Sequence, residues 1–308
     1  MSCDTFCEIT ESLLLDQATI APKFFYDNAG CVLFEKITTT AEYYPTRTES
    51  EILHSQAENL KEKVNPVSIV IEPGAGNCQK AEKLCQILRP KSFVAVDIAE
   101  DFLKESLKRF HSRLPEIQTW GQKGDLVSEV VLPSWLPQEE RLVFYPGSSI
   151  GNFAPAEATR LLRNFCDLAQ PGGQLLIGVD LEKDVHVLES AYNDSQGITA
   201  EFNGNILKHV NRLIGSNFDL TNWEHYAWFN RQESRIEMHL KAKKSQTVSW
   251  HGYERHFCSG ETIHTENSYK YSVPKFQQVL KQAGFKTQQV FTDSQSWYGL
   301  FLAEPYVS

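Results

Sequence analysis

From residue 50 onward, short continuous apolar runs alternate with longer stretches in which apolar residues return every third or fourth position. VSIVIEP (67–73), SFVAVDI (92–98), RLVFYPG (141–147) and QLLIGVDL (174–181) are of the first kind. A strand covered on both faces needs no polar alternation, so these runs predict strands of a parallel sheet. SEILHSQAENLKEKV (50–64), NCQKAEKLCQILR (77–89), EDFLKESLKRFHSRL (100–114) and APAEATRLLRNFCDLA (154–169) are of the second kind and predict helices. The last is stopped by Pro171-Gly172-Gly173. QTWGQ (118–122) is a weak strand between them. Strands alternating with helices of about 10–15 residues make βαβ units and a parallel α/β sheet.

The alternation stops at about residue 183. From there to 271 the chain is polar, aromatic and irregular, as in AYNDSQGITAEFNGNILKHVNRLIG (191–215) and NWEHYAWFN (222–230). Within it RIEMHLKAKKSQTVSW (235–250) alternates apolar with polar residues and predicts a strand. After residue 272 the earlier pattern resumes, with KFQQVLKQAGF (275–285) as helix and KTQQVFTD (286–293) and WYGLFLAEP (297–305) as strands. We therefore expect one domain from 47–182 and 272–308, and a second, discontinuous α+β domain from 1–46 and 183–271.

Composition narrows the function classes. The chain has 308 residues, 41% hydrophobic and 22% charged, with a net charge of −9. That sign argues against nucleic-acid and anionic-membrane partners, which need a basic face. No apolar run approaches the ~18 residues of a membrane span. The first residues, MSCDTFCEITESLLLDQ, carry acids where an export signal carries basic residues, so a cytoplasmic protein is expected. Seven cysteines are scattered without a C-x-x-C pair, which fits reduced thiols and predicts no metal site.

The candidate chemistry starts at IEPGAGNCQK (71–80). Gly74 and Gly76 let the backbone approach a ligand at the carboxyl end of the first strand, where open α/β sheets bind nucleotides. A dinucleotide turn would carry a third glycine where Gln79 stands, and a phosphate-binding loop would end in G-K-[ST], which is absent. E-x-G-x-G, beginning at Glu72, is instead the form used by S-adenosylmethionine (SAM) sites. Asp97, 21 residues after Gly76, ends the second strand where an acid binds ribose hydroxyls, and Asp125 follows the third strand where a polar residue meets adenine. Asp97 is equally suited to start the next helix. The helix, A-G-F turn and final strand pair resemble the end of Rossmann-like SAM-dependent methyltransferases, in which a reversed hairpin closes a mainly parallel sheet.

Four longer stretches are more specific: FFYDNAGCVLFEKIT with EYYPTRTESEIL (24–53), FYPGSSIGNF (144–153), GVDLEKD with AYNDSQGITAEFN (178–203), and RIEMHL with IHTENSYKYS (235–272). Together they resemble the histidine-specific SAM-dependent methyltransferases of ergothioneine biosynthesis, which trimethylate the α-amino group of L-histidine to hercynine. The resemblance spans nearly the whole chain. It implies that Asn152 and Tyr192 hold the substrate carboxylate, that Tyr26 and Tyr43 face its amino end, and that Glu266 and Ser268 hold the imidazole beside Met238. It also implies that Lys80 ends the cofactor loop and that Gly147 backs the methyl-transfer channel. Asn267 stands where an aliphatic residue is expected.

The chemistry agrees with those residue types. An attacking amine must be neutral, and phenols, unlike a carboxylate, do not stabilise its protonated form. Aromatic faces also suit a trimethylammonium product. Asn152 and Tyr192 are neutral donors for a carboxylate, and Glu266 and Ser268, two apart, share one face if they lie on a strand. Other readings stay open: Tyr43 as core packing, Asn152 as a cap for the helix from Ala154, Glu266 in an ion pair with Lys270. Another amino acid or a tryptophan-derived amine is the alternative substrate. The protein is expected to act as a monomer on a small molecule.

Overall fold

The computed structural model describes residues 3–124, 132 and 136–306. Its strands in chain order are β1 (Ile69–Pro73), β2 (Ser92–Asp97), β3 (Gln118–Lys123), β4 (Arg141–Tyr145), β5 (Gln174–Asp180), β6 (Trp223–Asn230), β7 (Arg235–Ala242), β8 (Gln246–Trp250), β9 (Tyr253–Phe257), β10 (Thr262–Tyr269), β11 (Phe285–Thr292) and β12 (Tyr298–Pro305). Its helices are α1 (Cys3–Leu13), α2 (Asn28–Ile37), α3 (Tyr44–Ser55), α4 (Ala57–Lys63), α5 (Gln79–Leu88), α6 (Glu100–Arg113), α7 (Pro155–Ala169), α8 (Val185–Tyr192), α9 (Ile198–Ile214) and α10 (Val273–Gln282). The chain divides into two compact units, Pro45–Glu182 with Tyr269–Ser308, and Met1–Tyr44 with Lys183–Ser268.

The first of these units is built on a seven-stranded sheet in the order β11-β12-β5-β4-β1-β2-β3. Strands β1 to β5 pair in parallel, and β12 pairs antiparallel with both β5 and β11. Only β12 is therefore reversed, and the expected hairpin closes the sheet with its second strand innermost. Alternate residues of one strand feed two cores: Leu176 of β5 packs with α3, α5 and α6 residues such as Ile52, Leu84 and Phe110, while Leu175, Ile177 and Val179 pack with Leu162 and Phe165 of α7 and Leu280 of α10. Both faces of the sheet are covered, which is why its central strands read as unbroken apolar runs.

The helix expected over 50–64 differs in the structure. It starts at Tyr44 and breaks at Gln56, giving α3 and α4. Pro45 lies in the first turn of α3, where a missing N–H is tolerated, so the helix begins upstream of residue 50.

The other unit is more regular than its composition suggests. The 17-residue α9 runs through the stretch read as irregular. It buries Thr199, Phe202, Asn203, Ile206, Leu207, Val210 and Ile214 along one stripe. Asp194 accepts hydrogen bonds from the amide N–H groups of Ile198 (2.9 Å) and Thr199 (2.7 Å) at its start. A three-stranded sheet, β10-β7-β6, forms beside a two-stranded β8-β9 pair. The single strand expected over 235–250 is thus two, separated at the polar Lys243-Lys244-Ser245, with β8 turning to pair with β9.

Candidate active site

The glycine turn follows β1, and parallel pairing in register (Glu72 with Ala95, Pro73 with Val96) brings the end of β2 beside it. Gly74 and Gly76 have φ of 71° and 51°, a region that L side chains disfavour. Asp97 takes up both readings offered by its position. Its Oδ2 accepts the Gly76 N–H at 2.8 Å and its Oδ1 accepts the Ala99 N–H at 2.9 Å, where α6 begins. Glu72 is buried under the turn. Burial pushes its carboxyl well above the usual carboxylate range, opposed by Lys80, and its Oε2 has no hydrogen-bond partner. Asp125 lies outside the described residues.

Lys80 and Gly147 meet through a residue that the sequence reading missed. Glu49 on α3 is fully buried; its Oε2 lies 2.6 Å from Lys80 Nζ, its carboxylate accepts the Gly147 N–H at 3.0–3.1 Å, and its Oε1 accepts the Tyr298 hydroxyl at 2.8 Å. Glu49 thereby ties α5, the turn after β4 and strand β12 together. A signal for it existed. Residues 45, 48, 49, 52 and 53 are the buried face of α3, and an acid on such a stripe demands buried partners. Asn152 closes a 3-10 turn over Ser149–Asn152 and does not cap α7: the cap position is Ala154, whose N–H is taken by Glu157 Oε2 at 3.1 Å.

In the other unit, Glu266 and Ser268 both lie on β10 and Met238 on β7, all buried. Tyr192, at the end of α8, donates its hydroxyl to Ser268 Oγ at 2.7 Å. This bond joins a residue assigned to the carboxylate with one assigned to the imidazole. Tyr192 also packs edge-on to Tyr43 at 6.5 Å, Tyr43 to Phe34 at 6.3 Å, and Phe34 to Tyr26 at 5.9 Å, with Phe202 against Tyr26 at 6.0 Å. Tyr26 and Tyr43 are therefore parts of one aromatic wall. It is anchored by Asp27, which accepts the Gly30 N–H at 2.7 Å at the start of α2 and the Asn205 Nδ2–H at 2.9 Å from α9.

On β7 and β10, Glu237, His239 and His264 bring three possible metal-ligand atoms within 4.8 Å of one another. They are already engaged otherwise. Arg235 and Asn230 donate to Glu237 Oε1 at 2.7–2.9 Å, His239 Nε2 lies 3.1 Å from Glu237 Oε2, and the two imidazoles stack at 4.6 Å. Burial alone would raise the Glu237 carboxyl, but those bonds from Asn230, Arg235 and His239 hold it down at about 2. Burial lowers both histidines. This is a buried ion-pair network with a guanidinium in it, a poor setting for a second cation.

A mainly parallel sheet with one reversed inner strand, a glycine turn after β1 and an acid ending β2 define a Rossmann-like SAM-dependent methyltransferase. The profile of a family described as histidine-specific methyltransferase, SAM-dependent, matches residues 6–305. A histidine N-alpha-methyltransferase from Mycolicibacterium smegmatis is 35% identical over 303 residues, covering 96% of this chain and 93% of that one. One from Mycobacterium tuberculosis is 33% identical over 292 residues, covering 92% and 90%. The ergothioneine biosynthesis protein 1 of Neurospora crassa is 30% identical over 286 residues, 90% of this chain but 32% of its own length. The chain belongs to the histidine-specific SAM-dependent methyltransferase family.

The residues present fit that cofactor. The positive-φ glycines leave the turn's backbone open, the Asp97 carboxylate sits at its edge, and the buried Glu72 Oε2 is left for a ligand hydroxyl.

Proposed function

We propose that the protein transfers three methyl groups from SAM to the α-amino nitrogen of L-histidine, forming hercynine for ergothioneine biosynthesis. The observation that carries this reading is the Tyr192–Ser268 hydrogen bond, with Glu266 on the same strand and the tyrosine wall beside it. In this reading the unit Pro45–Glu182 with Tyr269–Ser308 holds the cofactor and the other holds the amino acid.

SAM, when bound, supplies an activated methyl group. Glu72, Gly74, Gly76, Lys80, Asp97 and Asp125 would hold it, with Gly147 beside the transferred group. The chain's own task is positioning, because an in-line displacement needs no covalent enzyme step. Asn152 donates to the carboxylate without adding a charge, and Tyr192 does so once Ser268 Oγ–H turns to donate to the phenol oxygen and so frees the single Tyr192 proton. Glu266 accepts from a ring N–H and Ser268 completes the ring's hydrogen bonding, while Met238 packs beside the ring. A buried carboxylate left unpaired discriminates strongly against apolar side chains. Tyr26 and Tyr43 leave the amine free to lose its proton before each transfer. Their ring faces then stabilise the growing quaternary ammonium by about 0.5–2 kcal/mol each.

The reading includes a cytoplasmic monomer. Cys78, Cys85 and Cys166 are buried free thiols, as a reducing compartment leaves them, and light scattering tests the oligomeric state.

The test is mass spectrometry of the purified protein incubated with SAM and each of the twenty amino acids. Histidine alone should gain three methyl groups, and Glu266→Ala should abolish that preference. Methylation of tryptophan or another amine would keep the fold and discard the pocket assignment. No methylation of any amino acid would remove the reading.

A further inference from the structure

One buried polar side chain of the unit Met1–Tyr44 with Lys183–Ser268 links three strands and is not among the residues assigned above. Asn203 lies on α9 and is fully buried. Its Nδ2 donates to the backbone carbonyl of His239 on β7 at 2.9 Å and lies 2.9 Å from His225 Nδ1 on β6. Its Oδ1 accepts the Thr265 hydroxyl of β10 at 2.8 Å. One amide therefore touches all three strands of the β10-β7-β6 sheet. The relay continues through His225, whose Nε2 lies 2.8 Å from the backbone carbonyl of Tyr192.

The proton positions follow from the partners. The Tyr192 carbonyl only accepts, so His225 carries its proton on Nε2 and its Nδ1 is an acceptor. Nδ1 then takes one Asn203 N–H, and the His239 carbonyl takes the other. Turning the amide over would set its oxygen against two acceptors, so its orientation is determined. Burial lowers the His225 pKa, which keeps the ring in this neutral form. Asn203 uses both donors and its acceptor, a combination that aspartate and leucine lack.

The placement gives the relay its meaning. Thr265 immediately precedes Glu266, and its hydroxyl is also 3.0 Å from the carbonyl of Met238. Tyr192 returns to β10 through its bond to Ser268. The links Tyr192–His225–Asn203–Thr265 and Ser268–Tyr192 thus close a ring whose β10 side is the Thr265–Ser268 segment that carries Glu266. We propose that Asn203, His225 and Thr265 are positioning residues. They set the register of Tyr192 against the Glu266–Ser268 segment and so govern amino-acid affinity without touching the substrate. The substrate part of this inference rests on the function proposed above.

Thr265→Val removes the hydroxyl while keeping the shape, and Thr265→Ser restores it. Thr265→Val should raise the KM for histidine about tenfold, as loss of one buried hydrogen bond implies. The Kd for SAM and the kcat at saturating histidine should stay within about twofold, and Thr265→Ser should recover the parent KM. Hydrogen exchange read on the same proteins needs no substrate. Peptides covering 188–195 and 262–269 should exchange faster in Thr265→Val, whereas the α10 peptide should not. If kcat and both affinities fall together, or the valine and serine variants behave alike in exchange and kinetics, the positioning role is refuted. If the parent methylates no histidine but the exchange pattern holds, the register lock stands and the function reading fails.

Discussion

Replacing Glu49 by glutamine should loosen the unit that holds the cofactor. The parent carboxylate is fully buried and binds Lys80 Nζ at 2.6 Å, the Tyr298 hydroxyl at 2.8 Å and the Gly147 N–H at 3.0–3.1 Å. Removing one partner of a fully buried ion pair costs about 3–5 kcal/mol, chiefly because the other charge stays behind. Lys80 retains 23% side-chain exposure, so water recovers part of that loss, and glutamine still accepts from Tyr298 or Gly147. The remaining penalty is about 2–3 kcal/mol. At about 2–4 °C per kcal/mol for a domain of this size, the melting temperature should fall by about 4–12 °C. Thermal unfolding followed by circular dichroism measures it, and SAM titration should show weaker binding because Lys80 and the Gly147 turn lose their common anchor. A variant that melts within about 1 °C of the parent, with unchanged SAM affinity, would show that Glu49 is not the anchor described.

Gly178→Ala should destabilise the same place from the other side. A Cβ there would overlap Glu49 Oε1 and the Tyr298 hydroxyl, and a loss of about 1–3 kcal/mol or more in urea unfolding is expected; a neutral result would mean that the carboxylate can move. Tyr192→Phe removes the donor to Ser268, so stability should drop by about 1 kcal/mol and the KM for histidine should rise roughly tenfold with the SAM Kd unchanged; equal effects on both ligands would contradict the assignment. Stability should fall on acidification in two stages. His225, His239 and His264 have lowered pKa values in the fold, so the unfolded chain binds protons first as pH drops below about 6.5. Glu237, held at about 2, adds a second loss below about pH 4.3, and a urea midpoint that stays flat from neutral to acidic pH would refute both.

Much of the sheet was legible in the sequence because its cause is local. A strand covered on both faces must be apolar throughout, so VSIVIEP, RLVFYPG and QLLIGVDL announced β1, β4 and β5. The glycines, acids and spacing of residues 71–97 announced the cofactor turn, since glycine takes φ of 51–71° at no steric cost. Local signals misled where a residue type has two uses. Proline ends helices but is also tolerated in their first turn, as Pro45 is in α3, and the asparagines of 203 and 205 obscure the stripe of a 17-residue helix.

Pairing across the chain was decided elsewhere. Nothing in residues 44–55 says that Glu49 meets Lys80, Gly147 and Tyr298, and nothing in residues 198–214 says that Asn203 reaches β6, β7 and β10 at once. The sequence by itself determined periodicity, turns and the menu of chemical groups, because backbone preference and burial act within a few residues. Only the tertiary structure decided which buried polar groups satisfy one another, because a buried donor or acceptor takes whatever partner the packing of distant elements brings within reach.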